Sequence, residues 1–195
     1  MKAKARSIVE TMGNALRENR EGAANFFLRN QDLIPYLIEI AFEVEYKLHY
    51  KAAWILEIVF EYKLELLADY LDVFTKDIHK LNNESAIRPI SKICHWVAYA
   101  KVKKMNPVFN SKLSYEHIQR IVESCFDWLI GDSKVATKAY SMETLYYFGT
   151  LIGEEYEWIH QELRLVIVQN IQTESPAYKA KAKKMLRLIN NLSST

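Results

Sequence analysis

Long stretches of this chain run without a helix-breaking residue while apolar residues recur at three-to-four-residue steps, and that pairing limits the fold more than any motif does. Only five Gly and four Pro occur in 195 residues, too few for a sheet protein that turns roughly every eight to twelve residues. In residues 31–45, Leu33, Leu37, Ile40 and Val44 mark one helical face, and Pro35 falls in the first turn, where its missing N–H has no partner to lose. After a break at EYKLH come YKAAWILEIVFEY, LELLADYLDVFTKDIHKL and SAIRPISKICHWVAYAKVKK. Beyond a breaker around Asn106 and Pro107 follow SYEHIQRIVESCFDWLIG, DSKVATKAYSMETLYYFGTLIG, EEYEWIHQELRLVIVQNIQ and SPAYKAKAKKMLRLINNL. The periodicity predicts an all-α chain of eight core helices with short links. Ser114 with His117, Asp132, and Ser175 before Pro176 carry N-terminal capping chemistry, and Gly131 and Gly153 fall at expected helix C-termini.

A repeat emerges when the second helix of each expected hairpin is aligned on a small residue: Ala53, Ser91, Ala139 and Ala182, at offsets of 38, 48 and 43 residues. Three residues on stand Leu56, Cys94, Met142 and Met185; six on stand Val59, Val97, Leu145 and Leu188; four before stand His49, Ile87, Val135 and Tyr178. A small residue belongs where two helix axes approach closely, with larger apolar residues filling the space beside it.

The stretches KAAWILEIVFE, LLADYLDVF, VATKAYSMETLYYFG and ELRLVIVQNIQTESPAYKAKAKKMLRLI resemble a compact HEAT-repeat family common in bacteria of the Bacteroidetes type, over roughly residues 31–190. The resemblance implies an α-α superhelix, a short solenoid of about four to five helical hairpins that serves as a binding platform. It brings no assigned reaction and no catalytic residues.

A composition that is 50% hydrophobic is ample for one domain spanning 1–195. The first thirty residues are expected to form capping helices or an arm. Cys94 and Cys125 lie in separate apolar segments, far from zinc-knuckle or CxxC spacing, and read as reduced, buried thiols of a cytoplasmic protein. MKAKARSIVETMGNALRENREG lacks the apolar core and cleavage site of a signal peptide, and no run of about eighteen apolar residues suggests a membrane span. The net charge of +2 hides segregation. Residues 1–30, 81–112 and 173–195 are net basic, whereas 31–80 and 113–172 are net acidic. Stacked in space, such blocks become surface bands able to steer a charged partner.

No motif carries a reaction. His49, His79, His95, His117 and His160 occupy different helices with no HxxxH or HExxH pair, so neither a metal nor a cofactor is expected. Trp54, Trp96, Trp128 and Trp158, about one to a hairpin, read as packing between layers. Asp69 with Asp72 and Glu154 with Glu155 fall on solvated faces, and nucleophile elbows, phosphate loops and Rossmann fingerprints are absent. The most suggestive cluster is Arg88, Lys92, Lys101, Lys103 and Lys104, joined by Lys179, Lys181, Lys183, Lys184 and Arg187 near the end. In a HEAT solenoid the second helix of each hairpin lines the concave face, so these cations form a candidate channel for an acidic partner or a phosphate backbone. The expected function is therefore a non-enzymatic scaffold for a protein or peptide. The alternative is a nucleic-acid-binding relative of the HEAT-like alkylpurine DNA glycosylases, for which Asp127 beside Trp128 is the nearest candidate carboxylate.

Overall fold

Helix is the only regular structure among residues 1–192, which the computed structural model describes. The first thirty residues form α1 (Lys2–Thr11) and α2 (Arg17–Arg29). A 3-10 turn leads into α3 (Ile34–Phe42), which folds back through α4 (His49–Tyr62). Then come α5 (Leu71–Lys76), α6 (Glu84–Val102), α7 (Pro107–Lys112), α8 (Tyr115–Ile130), α9 (Val135–Phe148), α10 (Glu154–Asn170) and α11 (Pro176–Leu192). None of these helices is long and apolar enough to cross a membrane.

Local chemistry explains most boundaries. At α8, Ser114 and His117 complete a reciprocal capping box, and His117 Nε2 reaches across to Asp72 Oδ1 at 2.8 Å. Ser175 Oγ accepts from the Tyr178 N–H at 3.3 Å as Pro176 opens α11, and Gly131 closes α8. Two expected caps lie elsewhere. Asp132 caps nothing: α9 begins at Val135 after Lys134, with no side-chain cap. Gly153 does not end a helix but opens α10, at a φ of 141° that favours glycine, while α9 ends at Gly149.

Residues 64–81 were expected to form one helix and instead form α5 between two 3-10 segments, Leu64–Asp69 and Ile78–Lys80. Leu67, Leu71, Phe74, Ile78 and Leu81 are nevertheless all buried. A 3-10 turn repeats every three residues and an α-turn every 3.6, so one apolar pattern serves both. Sequence periodicity does not register the breaks at Tyr70 and Asp77.

The helices pack in two runs. On one side α2 contacts α4, α4 contacts α6, α6 contacts α9 and α9 contacts α11; on the other α1 contacts α3, α3 contacts α5, α5 contacts α8 and α8 contacts α10. The runs join through α3 with α4, α8 with α9, α9 with α10 and α10 with α11. Leu56, Cys94, Met142 and Met185 are all buried, as are Ala53, Ser91 and Ala182. Ala139 is half-exposed, and in α9 the buried small residues are Thr137, Ser141 and Thr144. Cys94 and Cys125 are free and buried, which pushes the Cys125 thiol up to about 12.

The joint between α9 and α10 shows how tightly these runs fit. His160 on α10 hydrogen-bonds through Nε2 to the Tyr146 carbonyl at 2.8 Å and stacks on the Tyr146 ring. A Cβ at Gly149 would lie 2.4 Å from the His160 ring. Gly149→Ala is expected to destabilise the protein by about 1–3 kcal/mol, read as a lower urea midpoint with an unchanged m-value. An unchanged midpoint would show that the ring yields without cost.

A candidate binding face on α4, α6 and α9

The face begins with a kink-prone residue and its remedy. Pro89 lies inside α6, has no N–H, and so leaves the Ser85 carbonyl without its helical donor. The Trp54 indole N–H of α4 donates to that carbonyl at 2.8 Å. This bond pins a half-buried tryptophan across the α4–α6 seam, where Tyr50 meets it edge to face at 4.9 Å.

One turn along, Glu57 is 3% exposed and faces cations from two neighbouring helices. Lys92 Nζ donates to Oε1 at 2.7 Å, whereas Arg20 Nη1 and Arg88 Nη2 share Oε2 at 3.5 and 3.9 Å. Lys92 also lies 4.9 Å over the Trp96 ring. A carboxylate this dry persists only with hydrogen-bonded counter-charge, which Lys92 supplies.

A second polar cluster repeats the arrangement between α6, α9 and α11. Glu143 accepts from Lys181 Nζ at 2.7 Å and lies 3.7 Å from His95 Nδ1. His95 sits among Tyr99, Tyr140 and Tyr147, with ring centroids 6.3, 5.8 and 5.8 Å away. Burial pushes the His95 imidazole below its ordinary value, and Glu143, which favours the charged form, only partly offsets that. Tyr99 is exposed and meets Tyr147 at 5.6 Å. On its other side, a 270 Å³ cavity between α4 and α6 is lined by residues that include Phe60, Glu61, Leu64, Trp96, Tyr99 and Lys104.

The five basic residues singled out from sequence do not share one surroundings. Arg88 and Lys92 turn toward Glu57. Lys101 is half-buried, its ammonium pushed down by burial and donating to the Asn110 carbonyl at 3.3 Å. Lys103 and Lys104 are exposed at the end of α6, Lys104 lying 5.9 Å over Tyr99. Lys181 belongs to the Glu143 cluster, while Lys183, Lys184 and Arg187 are exposed on α11. Asp127 is exposed on α8, but Trp128 is buried, so the two do not form one site. Trp54 and Trp96 are half-exposed rather than sealed between layers. Sequence reasoning missed Glu57, Glu143 and the tyrosines around His95. Their signal was present four residues after the small-residue column, where Glu57, His95 and Glu143 stand in successive units.

Among the described residues, no group of three His, Cys, Asp or Glu side chains is placed to hold a metal ion. The chain matches no protein-family model, no curated protein and no solved structure. The face presents aromatic rings and charges of both signs with access to solvent.

Two predictions follow from this geometry. Glu57→Ala leaves Lys92 and Arg20 without their counter-ion and is expected to cost about 3–5 kcal/mol, whereas Arg88→Ala, 43% exposed and 3.9 Å from Glu57, is expected to cost under about 1 kcal/mol; chemical denaturation of the two variants measures both. The second concerns pH. Burial holds His95 and His160 below the ordinary value of 6.5, so below that pH the unfolded chain takes up protons that the folded chain resists. Their contribution is full above 6.5 and is lost as pH falls through it toward the folded values. Urea midpoints are expected to drop between pH 7.5 and 5.5, and to drop less in His160→Gln.

Proposed function

We propose that this protein is a non-enzymatic, HEAT-like scaffold, a short α-solenoid of four to five hairpins that binds a peptide segment of a partner protein along α6 between α4 and α9. The carrying observation is the strip formed by Arg88, Lys92, Trp96, Tyr99 and Lys103, which recur at three-to-four-residue steps along one side of α6 and retain solvent access. From Arg88 to Lys103 that strip is about 22 Å long at 1.5 Å per helical residue, room for about seven residues of extended peptide.

The solenoid reading is supported by the way hairpins meet. Apart from short links between helices consecutive in the chain, such as His160 with Tyr146, side-chain bonds between helices join residues 31 to 53 apart, from Trp54 with Ser85 to Glu84 with Thr137, a separation that fits one hairpin to the next. The peptide reading is favoured over nucleic acid by charge. A phosphate backbone needs a sustained row of cations, but here Glu57, Glu61 and Glu143 interrupt the basic residues.

Selection of binding peptides from a random displayed library tests the proposal. Peptides that bind the wild-type chain are expected to bind Trp96→Ala and Tyr99→Ala at least about tenfold more weakly, a loss typical of an aromatic anchor. Trp158→Ala, on α10 away from this face, is expected to bind them unchanged. Binding indifferent to Trp96 and Tyr99, or no enrichment, would refute the α6 face as the platform.

A further inference from the structure

Next to the Trp54 seam lies a 190 Å³ cavity whose lining includes Arg20, Trp54, Glu84, Ser85, Arg88 and Lys134. Three cations meet one carboxylate there, and the cations come from three different parts of the chain. The charge behind the cavity does not neutralise them, because Glu57 gives its close contact to Lys92 and leaves two guanidinium groups sharing one oxygen at 3.5 and 3.9 Å. Neither distance is that of a strong charge-assisted hydrogen bond. The Nε of Arg20 is buried with no partner, and Lys134 is exposed. Glu84, the one opposing carboxylate of the lining, accepts from Thr137 Oγ1 through Oε2 at 3.2 Å, while its Oε1 is buried with no partner; it offsets one of the three cations and leaves the lining net positive. The Ser85 N–H is taken by Asn83, so side chains rather than the start of α6 are the available donors.

We propose that this cavity is an oxyanion-binding site that anchors an acidic group of the bound peptide, either a phosphoryl group or a carboxylate. The class of ligand follows from charge and size. Two arginines that make no close ion pair and an exposed lysine line the cavity, and a single oxyanion would give all three a shared counter-charge while accepting from the planar guanidinium donors. The cavity holds one such group and is too small for a nucleotide beside it. Arg88 belongs both to this pocket and to the α6 strip, so the anchored group lies at one end of the proposed peptide path. The role as a peptide anchor rests on that reading; oxyanion binding itself does not.

The test uses the full chain labelled with ¹⁵N, titrated at constant ionic strength with inorganic phosphate, then with acetate, following the Trp54 indole N–H assigned through Trp54→Phe. Phosphate is expected to shift that resonance saturably in the wild type. Arg88→Gln and Lys134→Gln, both at solvent-accessible positions, are each expected to weaken binding about tenfold, and Lys103→Gln to leave it unchanged. A saturable response to phosphate with none to acetate identifies a phosphoryl group as the ligand; the reverse identifies a carboxylate. A response that is linear, or that survives both substitutions, overturns the site. If phosphate binds through Arg88 and Lys134 but library peptides do not bind, the oxyanion site stands and the peptide path fails. If peptides bind through Trp96 and Tyr99 while neither anion binds, the path stands and the anchor fails.

Discussion

α6 is packed between α4 and α9, and small or slender residues are buried on all three helices: Ala52 and Ala53 on α4, Ala86, Ser91 and Ala98 on α6, Thr137, Ser141 and Thr144 on α9. Close helix axes leave little room between backbones, so the larger side chains of each helix are displaced to the sides of the seam. On one side they form the apolar core with Leu56, Cys94 and Met142. On the other they emerge at the surface as Trp54, Trp96, Tyr99, Tyr140 and Tyr147. The candidate face is thus the outer edge of the same packing that holds the helices together.

Polar groups at that edge fix how the helices are aligned along their axes. Lys92 reaches Glu57 at 2.7 Å, Lys181 reaches Glu143 at 2.7 Å, and Trp54 reaches the carbonyl that Pro89 leaves free at 2.8 Å. A slip of one helical turn, about 5.4 Å, would break all three and strand a carboxylate or a carbonyl away from water. Apolar surfaces tolerate such slips far better, because burial is non-directional. The same groups leave charge in excess where they pair imperfectly, and the Arg20 and Arg88 guanidinium groups are the clearest instance.

Much of the fold was legible in the chain. The boundaries at α4, α6, α8 and α11 follow from apolar periodicity, from the Ser114 capping box and from Ser175 before Pro176. The errors share a cause. Residues 64–81 keep a helical apolar pattern while the backbone breaks at Tyr70 and Asp77, and Gly153 opens a helix instead of closing one. In each case the residue's type is compatible with two backbone paths, and local periodicity does not distinguish them. The candidate site was less legible. Arg88 and Lys92 are on the face, but the one carboxylate that orients them, Glu57, lies 31 and 35 residues earlier in the chain.

The sequence by itself determined that this protein is helical, because the period of its apolar residues and its shortage of glycine and proline are local properties that each segment carries alone. It also determined that Leu56, Cys94, Met142 and Met185 would be buried, one on each of α4, α6, α9 and α11. Only the tertiary structure decided which charges would be neutralised and which left in excess. Pairing depends on distances of a few ångströms between side chains on different helices, and nothing in the order of residues along the chain records those distances.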